Sequence, residues 1–386
     1  MPAAPIQATV TRSATTKATT LNAASRQFAN RPADERYATL DALLTATRRH
    51  ARVAVSKPIK LNQCAAVVDH DGALAVRGPQ GGIVQPNHWA FGQICGLTAT
   101  PAHYLRTLPT LLAAECLNNG LKADDGTDRH MLIDVEHRTL RAVNGKAYRR
   151  IWNYEVVEQL VQLRERCPSW QFPEPFRTVG GKAANAWGPA DGKQVPVAFA
   201  SDRDMFAFLV DYEHPIEVNG TPLARGFFAE NSEVGDASFK LTTFLFDFVC
   251  SNILVWGARN VCEIAIRHTG RARDRVLAAD SDVIEHLRAY AATPASVQQA
   301  QIQKAQTLVL GDDRNDVIGK LFAKLDVSRT SLEAAYTVAE QTPRYGDPST
   351  AWAMANGLTE VSQQAPHADE RIKLDRAAGE ILDFAF

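Results

Sequence analysis

Residues 227–275, FFAENSEVGDASFKLTTFLFDFVCSNILVWGARNVCEIAIRHTGRARDR, join an acidic turn, a long apolar and aromatic run, the break Cys250-Ser251-Asn252 and a basic tail. After Thr243 the run is nearly continuous in apolar residues, which fits a buried strand or a buried helix, and periodicity alone does not separate the two. The polar groups of Cys250, Ser251 and Asn252 interrupt it, and each needs a hydrogen-bond partner if buried, so a tight turn is expected there. The centre of the stretch therefore reads as core. Its two ends, the acidic turn with Glu230, Glu233 and Asp236 and the basic tail from Arg267, carry the chemistry.

Working outward, VPVAFASDRDMFAFLVDYEHPIEV before this stretch reads as two strands separated by Asp202, Arg203 and Asp204, and Asn219-Gly220 marks a turn into the strand LARGFFAENSEV. The region is antiparallel in character. Residues 167–195, rich in Pro and Gly, read as a long irregular crossing. Toward the N-terminus, PADERYATLDALLTATRRHARVA has apolar residues at helical spacing, with acids leading and basic residues closing. CAAVVD and GALAVRG are strand-like pieces joined at His70-Asp71-Gly72. RGPQGG is read as a plain turn because no GK[ST] follows it. Residues 87–119 read as short helices, with Asn87 as a cap and Pro101 and Pro109 at helix starts. The C-terminal third is helical over residues 281–310, 315–336, 349–359 and 368–384.

The expected fold is α+β: a central, mainly antiparallel sheet with an N-terminal helical subdomain and a C-terminal helical layer. The chain divides into a flexible arm at 1–31, a mixed helical subdomain at 32–125, a β-rich core with a basic hairpin at 126–280, and a helical region at 281–386.

The composition is that of a globular protein, 45% hydrophobic and 22% charged, with 42 Lys and Arg against 43 Asp and Glu. A formal net charge of −1 excludes a strongly basic nucleic-acid binder, so any such activity must rest on local patches. The longest apolar run is too short and too interrupted to span a bilayer, so no membrane partner is expected. The six cysteines form no CxxC pair and read as free thiols in a reducing cytoplasm.

Two basic clusters stand out. Residues 137–150 carry Arg138, Arg141, Lys146, Arg149 and Arg150 without an acid, with Tyr148 and Trp152 interleaved or adjacent. The turn pair Asn144-Gly145 suggests that they lie on a hairpin. Basic and aromatic side chains alternating on a ribbon can hold phosphates while stacking bases. The second cluster is Arg267, His268, Arg271 and Arg273. If both line one groove, the local field suffices for phosphate binding despite the neutral net charge. Metal ligands are sparse: Asp134, Glu136, Glu230 and Glu233 are candidates without a defining spacing, and no metal or cofactor is expected.

Several segments carry a family resemblance: NSEVGDASFKLTTFLFDFVCSN, ARNVCEIAIRHTGRA, YLRTLPTLLAAECLNNGL, LRAVNGKAYRRIWN, TAWAMANGLTEVSQQ and RAAGEIL. Together they resemble a phage- and plasmid-borne family described as a domain of unknown function (number 932). The resemblance extends from about Gln85 to the end and supplies no active site to carry over. Its mobile-element setting implies DNA replication, recombination or evasion of host defence. The leading expectation is thus a cytoplasmic, phage-related DNA-binding protein, a homo-oligomer that binds or anneals single-stranded DNA in a basic groove. The alternatives are a metal-dependent hydrolase acting on nucleic acid or nucleotides, and an anti-defence adaptor binding a host protein.

Overall fold

The computed structural model describes residues 33–172, 198–218, 221–247, 253–254, 263–278, 281–292, 294–364, 374 and 377–382. The N-terminal arm, most of the Pro/Gly-rich crossing, the Asn219-Gly220 turn, the Cys250 to Asn252 turn and most of the last expected helix lie outside the described residues.

Strand β1 (Arg36–Tyr37) precedes helix α1 (Leu40–Arg52), which starts at Thr39, whose side chain accepts from Ala42 N at 3.1 Å. That bond satisfies one of the free N–H groups of the first turn. Strands β2 (Ala54–Ile59), β3 (Ala65–Val68), β4 (Leu74–Arg77) and β5 (Ile83–Pro86) follow, with β3 and β4 forming the hairpin expected about Gly72. Helix α2 (His88–Leu97) is capped by Asn87, which accepts from Ala90 N at 2.8 Å. Pro101 and Pro109 stand directly before α3 (Ala102–Leu105) and α4 (Thr110–Ala123). Strands β6 (Arg129–Asp134) and β7 (Thr139–Gly145) complete a six-stranded sheet of order β2-β6-β7-β5-β4-β3, parallel only between β5 and β7. Helices α2 and α4 bury Ile94, Leu117 and Leu121 against its Met131, Leu140 and Val143.

The central, mainly antiparallel sheet expected from the sequence is present, whereas the hairpin expected to turn at Asn144-Gly145 needs correction. The N-terminal segment contributes strands to a sheet of its own, shared with β6 and β7. The hairpin turns instead at residues 135–138, because Asp134 Oδ1 accepts from His137 N at 3.0 Å and Arg138 takes up a left-handed conformation with φ 50°. Asn144-Gly145 closes β7, and the Asn144 side chain is buried.

After α5 (Asn153–Arg166) and β8 (Trp170–Gln171), a second, antiparallel sheet is built from β9 (Ala198–Ala200), β10 (Met205–Val218), β11 (Thr221–Asn231), β12 (Phe239–Asp247), β13 (Ile253–Leu254) and β14 (Glu263–Ile266). Its order is β1-β9-β10-β11-β12-β13, with β8 paired to β10 and β14 to β12. The ambiguous run is therefore a strand: Leu223 to Glu230 hydrogen-bond along one side of β12, while β13 and β14 take the other. On one face Leu209, Phe227, Ala229 and Leu241 pack against Leu40, Leu43, Val157 and Leu160 of α1 and α5. Each fully buried Leu, Val or Phe among them contributes about 1.5–3 kcal/mol.

Among the described residues, the helices α6 (Ala272–Leu277), α7 (Asp282–Ala292), α8 (Ala295–Thr307), α9 (Arg314–Lys324), α10 (Arg329–Gln341) and α11 (Ala351–Gln364) follow. The break foreseen at Asp326-Val327-Ser328 separates α9 from α10, with Ser328 Oγ accepting from Ser331 N. Helices α8 to α11 cover the end of the large sheet at Ile216, Leu223 and Leu245. The architecture is α+β, and among the described residues no helix is long and apolar enough to cross a membrane.

Helices α10 and α11 approach so closely that a Cβ on Gly357 would lie 2.2 Å from Ala335 O. A backbone oxygen cannot yield as a side-chain end does. Gly357→Ala is therefore expected to force the helices apart and cost about 1–3 kcal/mol, as overpacked cores do. Urea denaturation measures the loss, and an unchanged midpoint would refute the close approach.

Candidate functional site

The turn after β11 is polar yet sealed: Glu230, Asn231, Ser232 and Glu233 are each at most 2% exposed. Charged and amide groups survive such burial only when partnered. Glu233 Oε2 pairs with Arg141 Nη2 at 2.9 Å, and its Oε1 accepts from Asn153 N at 2.9 Å. Arg141 also donates to Asp202 O through Nε at 3.1 Å and Nη2 at 2.7 Å. Val234 O accepts from Asn144 Nδ2 at 3.0 Å and from Trp89 Nε1 and Gln93 Nε2, both at 3.3 Å. Arg150 donates to Glu233 O and, at 3.0 Å, to Asn144 Oδ1. Asn231 Nδ2 reaches Ile151 O at 2.9 Å and Asn153 Oδ1 at 2.7 Å. The turn is thus the clamp that joins the two sheets through β7, α2 and the start of α5.

Beside the clamp, Tyr148 forms an isolated antiparallel bridge with Thr269, and Arg149 N donates to His268 O at 2.7 Å. The Tyr148 and His268 rings stack with centroids 5.2 Å apart and planes within 2°. Tyr148 Oη lies 3.0 Å from both Ser232 O and His268 Nδ1. A carbonyl only accepts, so the phenol proton goes to Ser232 O and the phenol oxygen accepts from His268 Nδ1–H. This hydrogen-bond pattern assigns His268 the Nδ1-protonated tautomer. Its Nε2 is buried without a hydrogen-bond partner among the described residues. Burial, seconded by the Arg150 guanidinium, pushes the His268 pKa down to about 4. Burial holds the Tyr148 phenol well above its usual range.

The structure joins the two basic clusters but takes several of their members out of reach. Arg141 and His268 are buried, and Arg150 is part-buried and committed to the clamp. Tyr148 is stacked on His268, with Arg150 over its ring at 5.3 Å. Trp152 is half-buried beside Leu132, Ala142 and Val234, with Arg150 over its ring at 5.4 Å. The expectation that Arg141, Arg150 and His268 contact phosphates and that Tyr148 and Trp152 stack bases is corrected accordingly. Arg141, Arg150 and Tyr148 instead donate to the buried turn and its neighbours, at Glu233, Asn144 and Ser232 O.

Arg138 precedes β7, whereas Lys146 follows it, so the seven residues of the strand hold them apart by about 20 Å. Arg273 forks onto Glu155, one bond measuring 2.9 Å, and that carboxylate also accepts from Trp152 N at 3.0 Å. Lys146, Arg149, Arg267 and Arg271 remain exposed, all within two residues of the Tyr148–Thr269 bridge. Arg271 pairs with Asp274 and Lys146 with Asp128, both pairs largely exposed. Such pairs hold little energy and leave the cations competent for another anion.

Sequence reasoning misses Asn153, and it reads Asn144 as a turn residue rather than as a member of the clamp. The only signal at Asn153 is a polar residue set among positions that turn out to be core.

The four candidate metal ligands do not converge. Glu233 belongs to the clamp, Glu230 faces Lys240 at 3.7 Å, and Asp134 and Glu136 sit at the β6–β7 turn. Among the described residues only Asp69, His70 and Asp71 bring three metal-binding groups within 4.8 Å of one another, on an exposed hairpin turn. Asp134 instead orients His137, Nδ1 to Oδ2 at 2.9 Å, at the rim of a cleft of about 870 Å³ that His50, Arg141 and Asp202 also line.

A two-sheet α+β protein with a sealed polar clamp and a basic rim at its edge is the class these observations define. Residues 198–378 match the model of a family described as Domain of unknown function (DUF932). The match takes in strands β9 to β14 of the large sheet, the acidic turn and Arg267 to Arg273, but not β1, β8, the six-stranded sheet or Lys146 to Trp152. No curated protein and no solved structure matches the chain.

Proposed function

We propose that this protein binds the phosphate backbone of single-stranded DNA along the rim formed by Lys146, Arg149, Arg267 and Arg271. The observation that carries the reading is the Tyr148–Thr269 bridge with the Tyr148–His268 stack, which ties two segments distant in sequence into one exposed basic edge. Among the described residues no carboxylate lies within ion-pair distance of Arg149 or Arg267, and neither charge is offset locally. A patch of this kind supplies field without net basic charge. The bridge fixes the backbone of the rim, so less backbone entropy is lost on binding. The resemblance to a phage- and plasmid-borne family gives this activity its setting, with the protein acting as an oligomer on mobile-element DNA. Free thiols at Cys64, Cys95, Cys116 and Cys167 support a reducing compartment.

Filter binding of an oligo-dT strand across salt concentrations tests the proposal. Four phosphate contacts give a slope of log K against log salt near −3, and Arg149→Ala with Arg267→Ala should halve it, to about −1.4. No binding at low salt, or an unchanged slope in the double variant, would sink the idea. Sedimentation of the full chain tests the oligomer, for which a monomer at all concentrations is the contrary result.

A further inference from the structure

The six-stranded sheet leaves a groove open beside its helical core. About 710 Å³ in volume, it lies between the sheet face carrying Lys57, Ile59, Met131 and Ile133 and the β4–β5 turn at residues 78–82, with Val135 and Arg138 at its mouth. Lys57 pairs in register with Met131, and side chains alternate along a strand, so Lys57 and Ile59 share a face with Met131 and Ile133. Part of that face is covered by α2 and α4. Beyond them Val135 and Ile83 remain 51% and 40% exposed.

No carboxylate lines the groove. Its two cations, Lys57 and Arg138, have no ion-pair partner among the described residues. Arg138 holds its place with φ 50°, a conformation that costs a non-glycine residue free energy and that Gly or Asn would adopt more readily. Its carbonyl accepts from Gln85 N at 3.0 Å, which the backbone of any residue would provide. The turn therefore does not call for an arginine, and the guanidinium has no structural use. An apolar floor, two unpaired cations and the volume of a small-molecule site together specify the chemistry of what fits.

We propose that this groove binds a small amphiphilic anion, an alkyl or aryl body bearing one carboxylate or phosphate. The body lies on Ile59, Met131, Ile133 and Val135, and the anionic group is held between Lys57 and Arg138. The site is separate from the basic rim and does not depend on it.

Fluorescence titration of the full chain with 8-anilinonaphthalene-1-sulfonate at pH 7.5 tests this, with decanoate and adenosine monophosphate as competitors. One saturable site is expected, displaced by at least one of the two. Arg138→Gly should fold at least as stably as the parent, since it relieves the left-handed backbone, yet bind the probe about tenfold more weakly, as loss of a charge-assisted bond implies. Val135→Asp, at an exposed position, should abolish binding without changing the melting temperature. Probe binding that Arg138→Gly and Val135→Asp leave unaltered, or that neither competitor displaces, would overturn the proposal. Oligo-dT binding should be unaffected by both variants, so the two sites fail or stand separately.

Discussion

Glu233→Ala is expected to destabilise the fold by about 3–5 kcal/mol, the largest effect of any single substitution proposed for this protein. Glu233 is fully buried, and its loss leaves the Arg141 guanidinium sealed without a counter-charge and Asn153 N without an acceptor. Breaking a buried pair costs this much because the surviving charge has lost both water and partner. The pair itself need not add net stability. Adding Arg141→Met to Glu233→Ala should therefore recover a large part of the loss, since the orphaned charge disappears with its cause. Urea denaturation of the two single variants and the double variant gives the coupling. Strictly additive losses would mean that Arg141 and Glu233 do not act as a unit.

Acid should loosen the contact between the two basic segments. The His268 pKa is about 4 in the folded chain, against 6.5 for an unperturbed imidazole. The unfolded chain thus binds a proton between those values that the folded one refuses. Stability from this group is complete above pH 6.5 and falls as the pH drops toward 4, by about 2 kcal/mol between pH 7.5 and 5. The groups facing the ring are Arg150 and Tyr148, with Glu233 next beyond them. Burial lowers His50, His88 and His286 in the same direction, so the wild-type slope contains several histidines. His268→Asn, which keeps a donor where Nδ1–H stands, isolates the share of His268. The variant should lose about 2 kcal/mol less than wild type over this interval, and equal losses would refute the assignment.

Local signals were legible where one residue does the work: Asn87 caps α2, Pro101 and Pro109 open their helices, and Gly72 turns the β3–β4 hairpin. The Asn144-Gly145 pair misled because its usual turn preference lost to tertiary demand. Asn144 donates to Val234 O and accepts from Arg150 in the clamp, and the turn falls to Asp134 and Arg138. The basic clusters were visible as charge, yet composition cannot distinguish an arginine in solvent from one in a buried pair. Arg141 and Arg149 look alike in the sequence, and Glu233, 92 residues beyond Arg141, decides between them.

By itself, then, the sequence determined the α+β class, the short helices with their caps, the strand pieces and the position of the basic charge, all of which depend on neighbours within a few residues. Tertiary structure alone decided that residues 239–247 are a strand, because only pairing on both sides selects strand over buried helix. It also decided that the N-terminal strands and β6–β7 form a second sheet, and that the polar turn of the opening stretch is a clamp holding a rim. These are matters of which distant groups meet, and meeting is settled by burial and hydrogen-bond satisfaction across the whole chain.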